Sequence, residues 1–118
     1  MKRILVVDDD KVQHILFRKK AERISKDFEV LFFDAAEDCL TYLKDHTADV
    51  LFSDVNLGDM DGWELIGELA KIDFKGKVFL LTGSVAPSDR RKAKSEGLIS
   101  GFFEKPISDS DLREILEA

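Results

Sequence analysis

The sequence predicts an α/β fold, a doubly wound sheet of five parallel strands in the flavodoxin-like order 2-1-3-4-5. Two observations carry that expectation. Five short apolar runs, at residues 4–7, 30–33, 50–52, 78–81 and 102–103, alternate with stretches whose apolar residues recur at helical spacing. Strict strand–helix alternation implies parallel strands joined by right-handed crossovers, with helices on both faces. With five strands, the 2-1-3-4-5 order places the switch point, where such sheets bind ligands, between the first and third strands.

The first strand, residues 3–7, is all branched after Arg3, as befits a strand buried on both faces, and it runs directly into Asp8, Asp9 and Asp10. A helix is expected over 11–24, with Asp10 as its cap. The strand at 30–33 leads to a helix over 35–44 capped by Asp34. The strand at 50–52 delivers Asp54, followed by an Asp61-Gly62 turn and a helix over 63–71. The run at 78–81 delivers Thr82 before a helix over 88–95, with Pro87 and Ser88 at its start. The last strand, near Phe102 and Phe103, delivers Lys105, and Ser108 caps a helix over 109–116. No linker, low-complexity segment or further repeat interrupts this order, so residues 1–118 are expected to form one domain.

Bulk properties narrow the function. A net charge of −6 argues against nucleic acid as a direct ligand, which would need clustered Lys and Arg. Lys11, Arg18, Lys19, Lys20, Arg23 and Lys26 do gather in the first helical region, where a solvated face is the simplest reading and partner docking the alternative. Lys2 and Arg3 precede too few apolar residues for a signal peptide, no run approaches membrane-spanning length, and the single Cys39 permits no internal disulfide. A cytoplasmic protein is the expectation. His14 and His46 lie at no metal-binding spacing, and Trp63 reads as an anchor opening its helix.

An acid pair, a lone acid, a hydroxyl and a lysine at successive strand ends (Asp8 and Asp9, Asp54, Thr82, Lys105) resemble the receiver domain of two-component response regulators, over the whole chain. The specificity lies in the combination, since Asp-Asp and Lys-Pro are common singly. What the resemblance implies is a phosphorelay switch. Asp54 would accept a phosphoryl group from a sensor histidine kinase or a histidine phosphotransfer protein. Asp8, Asp9, Asp54 and the backbone carbonyl of Asn56 would hold Mg²⁺, an ion suited to hard oxygen ligands. Lys105, before a cis peptide to Pro106, and Thr82 would take the phosphoryl oxygens; Thr82 and Phe102 would form the switch; Asn56 and Ser84 would tune hydrolysis. The changed surface would be that of the fourth helix, fifth strand and fifth helix, around 86–93, 102–103 and 111–116, open to a downstream protein of unknown identity or to self-association.

Two departures stand out. Gly58 occupies a place where the family usually has proline, and the approach from Gly97 to Lys105 is one residue longer than usual, which bears on the switch position. Other functions fit less well. A flavin carrier would cradle phosphate in a hydroxyl- and glycine-rich turn, whereas Asp8-Asp9-Asp10 repels it without metal. A Mg²⁺-dependent phosphatase commonly has an acid two residues beyond its nucleophile, where this chain has Asn56. A pseudo-receiver that binds without phosphorylation, and a receiver cut from a hybrid kinase or longer regulator, are the remaining alternatives to a stand-alone, non-enzymatic switch.

Overall fold

Residues 2–58, 60–83, 91–92 and 97–117 are described by a computed structural model of the chain. The strands are β1 (Lys2–Val7), β2 (Phe28–Phe33), β3 (Val50–Asp54), β4 (Lys77–Thr82) and β5 (Ile99–Glu104). The helices are α1 (Lys11–Ile24), α2 (Ala36–Leu43), α3 (Gly62–Lys71) and α4 (Asp109–Glu117). All ladders are parallel and the order is β2-β1-β3-β4-β5, as predicted. The helix expected over 88–95, with its caps Pro87 and Ser88, lies outside the described residues except for Arg91 and Lys92, both helical. α4 therefore denotes the last helix, the fifth in the sequence reading.

The sheet divides the interior into two layers because successive strand residues point to opposite faces. Ile4, Val6, Val50, Phe52, Phe79 and Leu81 pack under α1 and α4 with Phe17, Ala21, Leu112 and Leu116. Leu5, Val7, Leu51, Val78 and Leu80 pack on the other side with Cys39 of α2 and Leu65, Ile66 and Leu69 of α3. On the α1 side an aromatic row crosses the sheet. Phe52 meets Phe17 at 5.0 Å and Phe79 at 5.4 Å, and Phe79 meets Phe103 at 6.0 Å.

Local signals explain most boundaries. Asp10 caps α1 by accepting from Val12 N at 2.9 Å, Asp61 caps α3 through Glu64 N at 2.8 Å, and Ser108 Oγ accepts from Asp111 N at 3.1 Å ahead of α4. The expected cap of α2 is corrected: its N-cap is Ala35, with no side-chain bond, while Asp34 turns its carboxylate toward Lys11 Nζ at 3.5 Å. β2 and β5 also start earlier than expected, at Phe28 and Ile99.

The extra residue before Lys105 is absorbed as a bulge. Pairing steps from Val78 with Ile99 to Phe79 with Gly101, leaving Ser100 out of register and exposed. Beyond it Leu80, Leu81 and Thr82 pair regularly with Phe102, Phe103 and Glu104, so the lengthening does not disturb the spacing from Phe102 to Lys105.

Candidate functional site

Strand alternation decides which side chains meet at the carboxyl end of the sheet. Val6 pairs with Phe52, so Asp8 and Asp54, each two residues further on, stand side by side on the face that also carries Phe103. Lys105, two beyond Phe103, shares that face and reaches across β4. Its Nζ lies 2.9 Å from Asp8 Oδ2 and 2.8 Å from Asp54 Oδ2. The three side chains are almost enclosed, at 12% exposure for Lys105, 4% for Asp8 and 9% for Asp54. Burial pulls the Lys105 ammonium toward the neutral form. Its hydrogen bonds to Asp54 and Asp8, together with their charges, more than offset that pull and hold its pKa above the ordinary lysine value.

The remaining atoms of the two acids are also tied. Asp8 Oδ1 accepts from Asp10 N at 2.9 Å, and Asp54 Oδ1 accepts from Asn56 N at 3.2 Å. Asn56 pairs back with Asp61 across the loop, and Gly62 N donates to Val55 O at 2.7 Å. Gly62 is required at that approach, since a Cβ there would fall 2.7 Å from Asp54 O and 2.9 Å from Val55 Cα. Gly58, by contrast, has room, the nearest atom to an added Cβ being Asp9 Oδ2 at 3.9 Å.

Asp9 is exposed beside this pair, and one carboxylate oxygen from each of Asp8, Asp9 and Asp54 lies within 4.8 Å of the others. Ligands of one octahedral Mg²⁺ at about 2.1 Å would stand about 3–4.2 Å apart, so this all-oxygen set suits the ion with a small inward adjustment. Magnesium supplies charge neutralisation and orientation to a transferring phosphoryl group.

Thr82 ends β4 buried at 2% exposure, and its backbone oxygen accepts from Lys105 N at 2.6 Å. Alternation puts its side chain with Leu80 and Phe102 on the α3 side rather than with the acids. The Lys105–Pro106 peptide is cis. Phe102 is half-buried and stacks on Trp63 with ring centroids 6.4 Å apart, while Lys92 Nζ sits 4.8 Å from the far partner's ring, that of Trp63. Ser84 lies outside the described residues.

Sequence reading passed over two features. Val12, Ile15 and Leu16 leave an apolar stripe on the outer face of α1, at 60%, 55% and 40% exposure, beside the acids. Their i, i+3, i+4 spacing was a legible signal, hidden because Phe17 and Ala21 already account for a buried face. His14 is the other: 13% exposed, it places Nε2 2.6 Å from Asp8 O. Cys39 is fully buried, which pushes its thiol up to about 12 and leaves it an inert core residue.

Over 108 residues the chain is 35% identical to the heme response regulator HssR of Staphylococcus saprophyticus, covering 92% of this chain and 46% of that protein. It is 27% identical over 121 residues to the virulence sensor protein BvgS of Bordetella pertussis, covering 97% of this chain and 10% of that protein. The chain thus spans about half the length of the first relative and a tenth of the second. The crystal structure of a CheY-like receiver domain protein from Methanospirillum hungatei superposes with a TM-score of 0.85 at 26% identity, covering 99% of this chain and 91% of that one. The model of the response regulator receiver domain matches residues 4–117, and with the five-stranded order and the acid cluster at its switch point the chain belongs to that family.

Proposed function

We propose that this chain is a phosphorylation-activated signalling switch in which Asp54 receives a phosphoryl group from the phosphohistidine of a sensor kinase or phosphotransfer protein. The observation that carries this reading is the pairing of Asp54 with a buried ammonium while two further acids stand within ligand reach. An Asp54 carboxylate oxygen attacks the phosphorus. The new O–P bond forms as the P–N bond breaks, and the imidazole nitrogen keeps the electron pair and takes up a proton. Lys105, which donates to Asp54 Oδ2, would orient the carboxylate before attack and follow the added charge as a point donor. Asn56 N holds the other oxygen. Asp8, Asp9, Asp54 and the Asn56 carbonyl would bind Mg²⁺.

Phosphorylation adds roughly one further negative charge to the cluster and draws donors toward it. Thr82 would move toward the phosphoryl group, giving Phe102 room on their shared face. That would change the surface of β5 and α4, where a downstream protein or a second copy would dock; residues 86–90 and 93 of the expected face lie outside the described residues. In this reading the output is a binding surface rather than turnover, residues 1–118 form the receiver unit, Ser84 and Asn56 tune hydrolysis, and the setting is cytoplasmic. The exposed Val12, Ile15 and Leu16, rimmed by lysines of α1, support partner docking beside Asp54. A receiver belonging to a longer protein is the second reading, favoured by the small fraction of HssR and BvgS that the chain spans.

Labelling by a small phosphodonor tests the core of this reading. The wild type should take up acid-labile phosphate only with Mg²⁺, and Asp54→Asn should take up none. Undiminished labelling of Asp54→Asn would overturn the assignment.

A further inference from the structure

We propose that His14 is a positioning residue for the acid site: its imidazole N–H fixes the backbone of Asp8 and thereby the aim of Asp8 and Asp9 toward a divalent cation. The inference rests on the metal reading of the cluster.

Asp8 O lies past the last residue of β1 and before the cap of α1, so neither element's regular bonding claims it. His14 Nε2 approaches it to 2.6 Å. A carbonyl only accepts, so that nitrogen carries the hydrogen, and the bond fixes the ring's tautomer. The ring is itself held. It packs on Phe32 with centroids 4.9 Å apart, and its Nδ1 lies 3.9 Å from Asp34 Oδ1, beyond hydrogen-bond range.

With His14 in place every polar atom of Asp8 has a different anchor. Its N donates to Phe33 O at 3.0 Å, Oδ1 accepts from Asp10 N, Oδ2 from Lys105, and O from His14. Three of these anchors are backbone or belong to the site itself. His14 alone is a side chain from α1 that touches no carboxylate oxygen at hydrogen-bond distance, so its effect on a bound ion runs through the backbone of the turn. Because Mg²⁺ accepts little departure from octahedral geometry, a turn free to rotate by a few tenths of an ångström binds it less well.

The test is a titration with Mg²⁺ alone, followed by amide shifts of Asp9 and Asn56, with melting temperatures taken in EDTA. His14→Phe and His14→Leu keep an apolar side chain against Phe32 and lose the donor. Both should weaken Mg²⁺ binding about tenfold while melting within about 3 °C of the wild type. His14→Gln returns an N–H at comparable reach and should bind within about threefold of wild type. Wild-type affinity in both donor-free variants, or a His14→Gln as weak as they are, overturns the role. Asp9→Ala separates the two layers: binding lost there but unchanged in the donor-free variants refutes His14 alone, whereas a wild type with no Mg²⁺-dependent shifts refutes the metal reading itself.

Discussion

Replacing Lys105 by Met keeps most of the buried stem and deletes the ammonium, which makes the variant a direct probe of the charge balance in the resting site. Lys105 donates to Asp8 at 2.9 Å and to Asp54 at 2.8 Å, and both acids are nearly inaccessible to water. Hydrogen bonds to charged groups contribute ~1.5–3 kcal/mol each. One ammonium serves both acids, and its own desolvation cost disappears with it, so a net loss of about 2–4 kcal/mol is expected. A chain of 118 residues unfolds with an entropy of about 250 cal/mol/K, from about 2.1 per residue, so each kcal/mol lowers the melting temperature by about 4 °C. Circular dichroism melts in EDTA at neutral pH should place Lys105→Met about 8–16 °C below wild type. Saturating Mg²⁺ should narrow the gap by supplying positive charge to the same oxygens.

The pH dependence has a definite sign. Because the folded pKa of Lys105 lies above its ordinary value, its contribution is complete below the unfolded lysine pKa and is lost as pH rises through the folded one. The wild-type advantage should therefore persist to about pH 10 and close above it. A deficit under about 3 °C in EDTA, or one indifferent to alkaline pH, would refute the reasoning.

Three further outcomes follow from the geometry. Asp9→Ala should weaken Mg²⁺ binding at least tenfold by calorimetry while leaving the melting temperature in EDTA unchanged or raised, since an exposed like charge is removed. Gly62→Ala should cost about 1–3 kcal/mol in chemical denaturation, because its methyl group meets backbone atoms of Asp54 and Val55 that cannot rotate away. Beryllofluoride with Mg²⁺, a mimic of the acyl phosphate, should shift amides not only near Asp54 but at Phe102 and Trp63, whose rings stack at 6.4 Å; shifts confined to the acids would mean that no signal crosses β4 by this route.

The strand order was legible because apolar runs alternate with stretches of helical spacing, and the meeting of Asp8, Asp54 and Lys105 because each follows such a run at a strand end in an order that resembles receiver domains. The start of β5 was not. Ser100 and Gly101 interrupt its apolar pattern, and only pairing with Val78 and Phe79 makes those residues a strand with a bulge. The cap of α2 misled for a similar reason: Asp34 is a good cap by type, but Lys11 and His14 of α1 lie beside it. His14 itself carries no spacing signal, since its partner is a backbone carbonyl, which every residue has.

Reductive trapping tests the central claim most directly. Wild-type protein treated with a small phosphodonor and Mg²⁺, then with borohydride, converts an aspartyl phosphate into homoserine, and peptide mass spectrometry reads its position. Conversion at Asp54 alone, abolished by EDTA, is the expected result. Conversion at another acid, or none at Asp54 in protein that carries phosphate, would contradict the account.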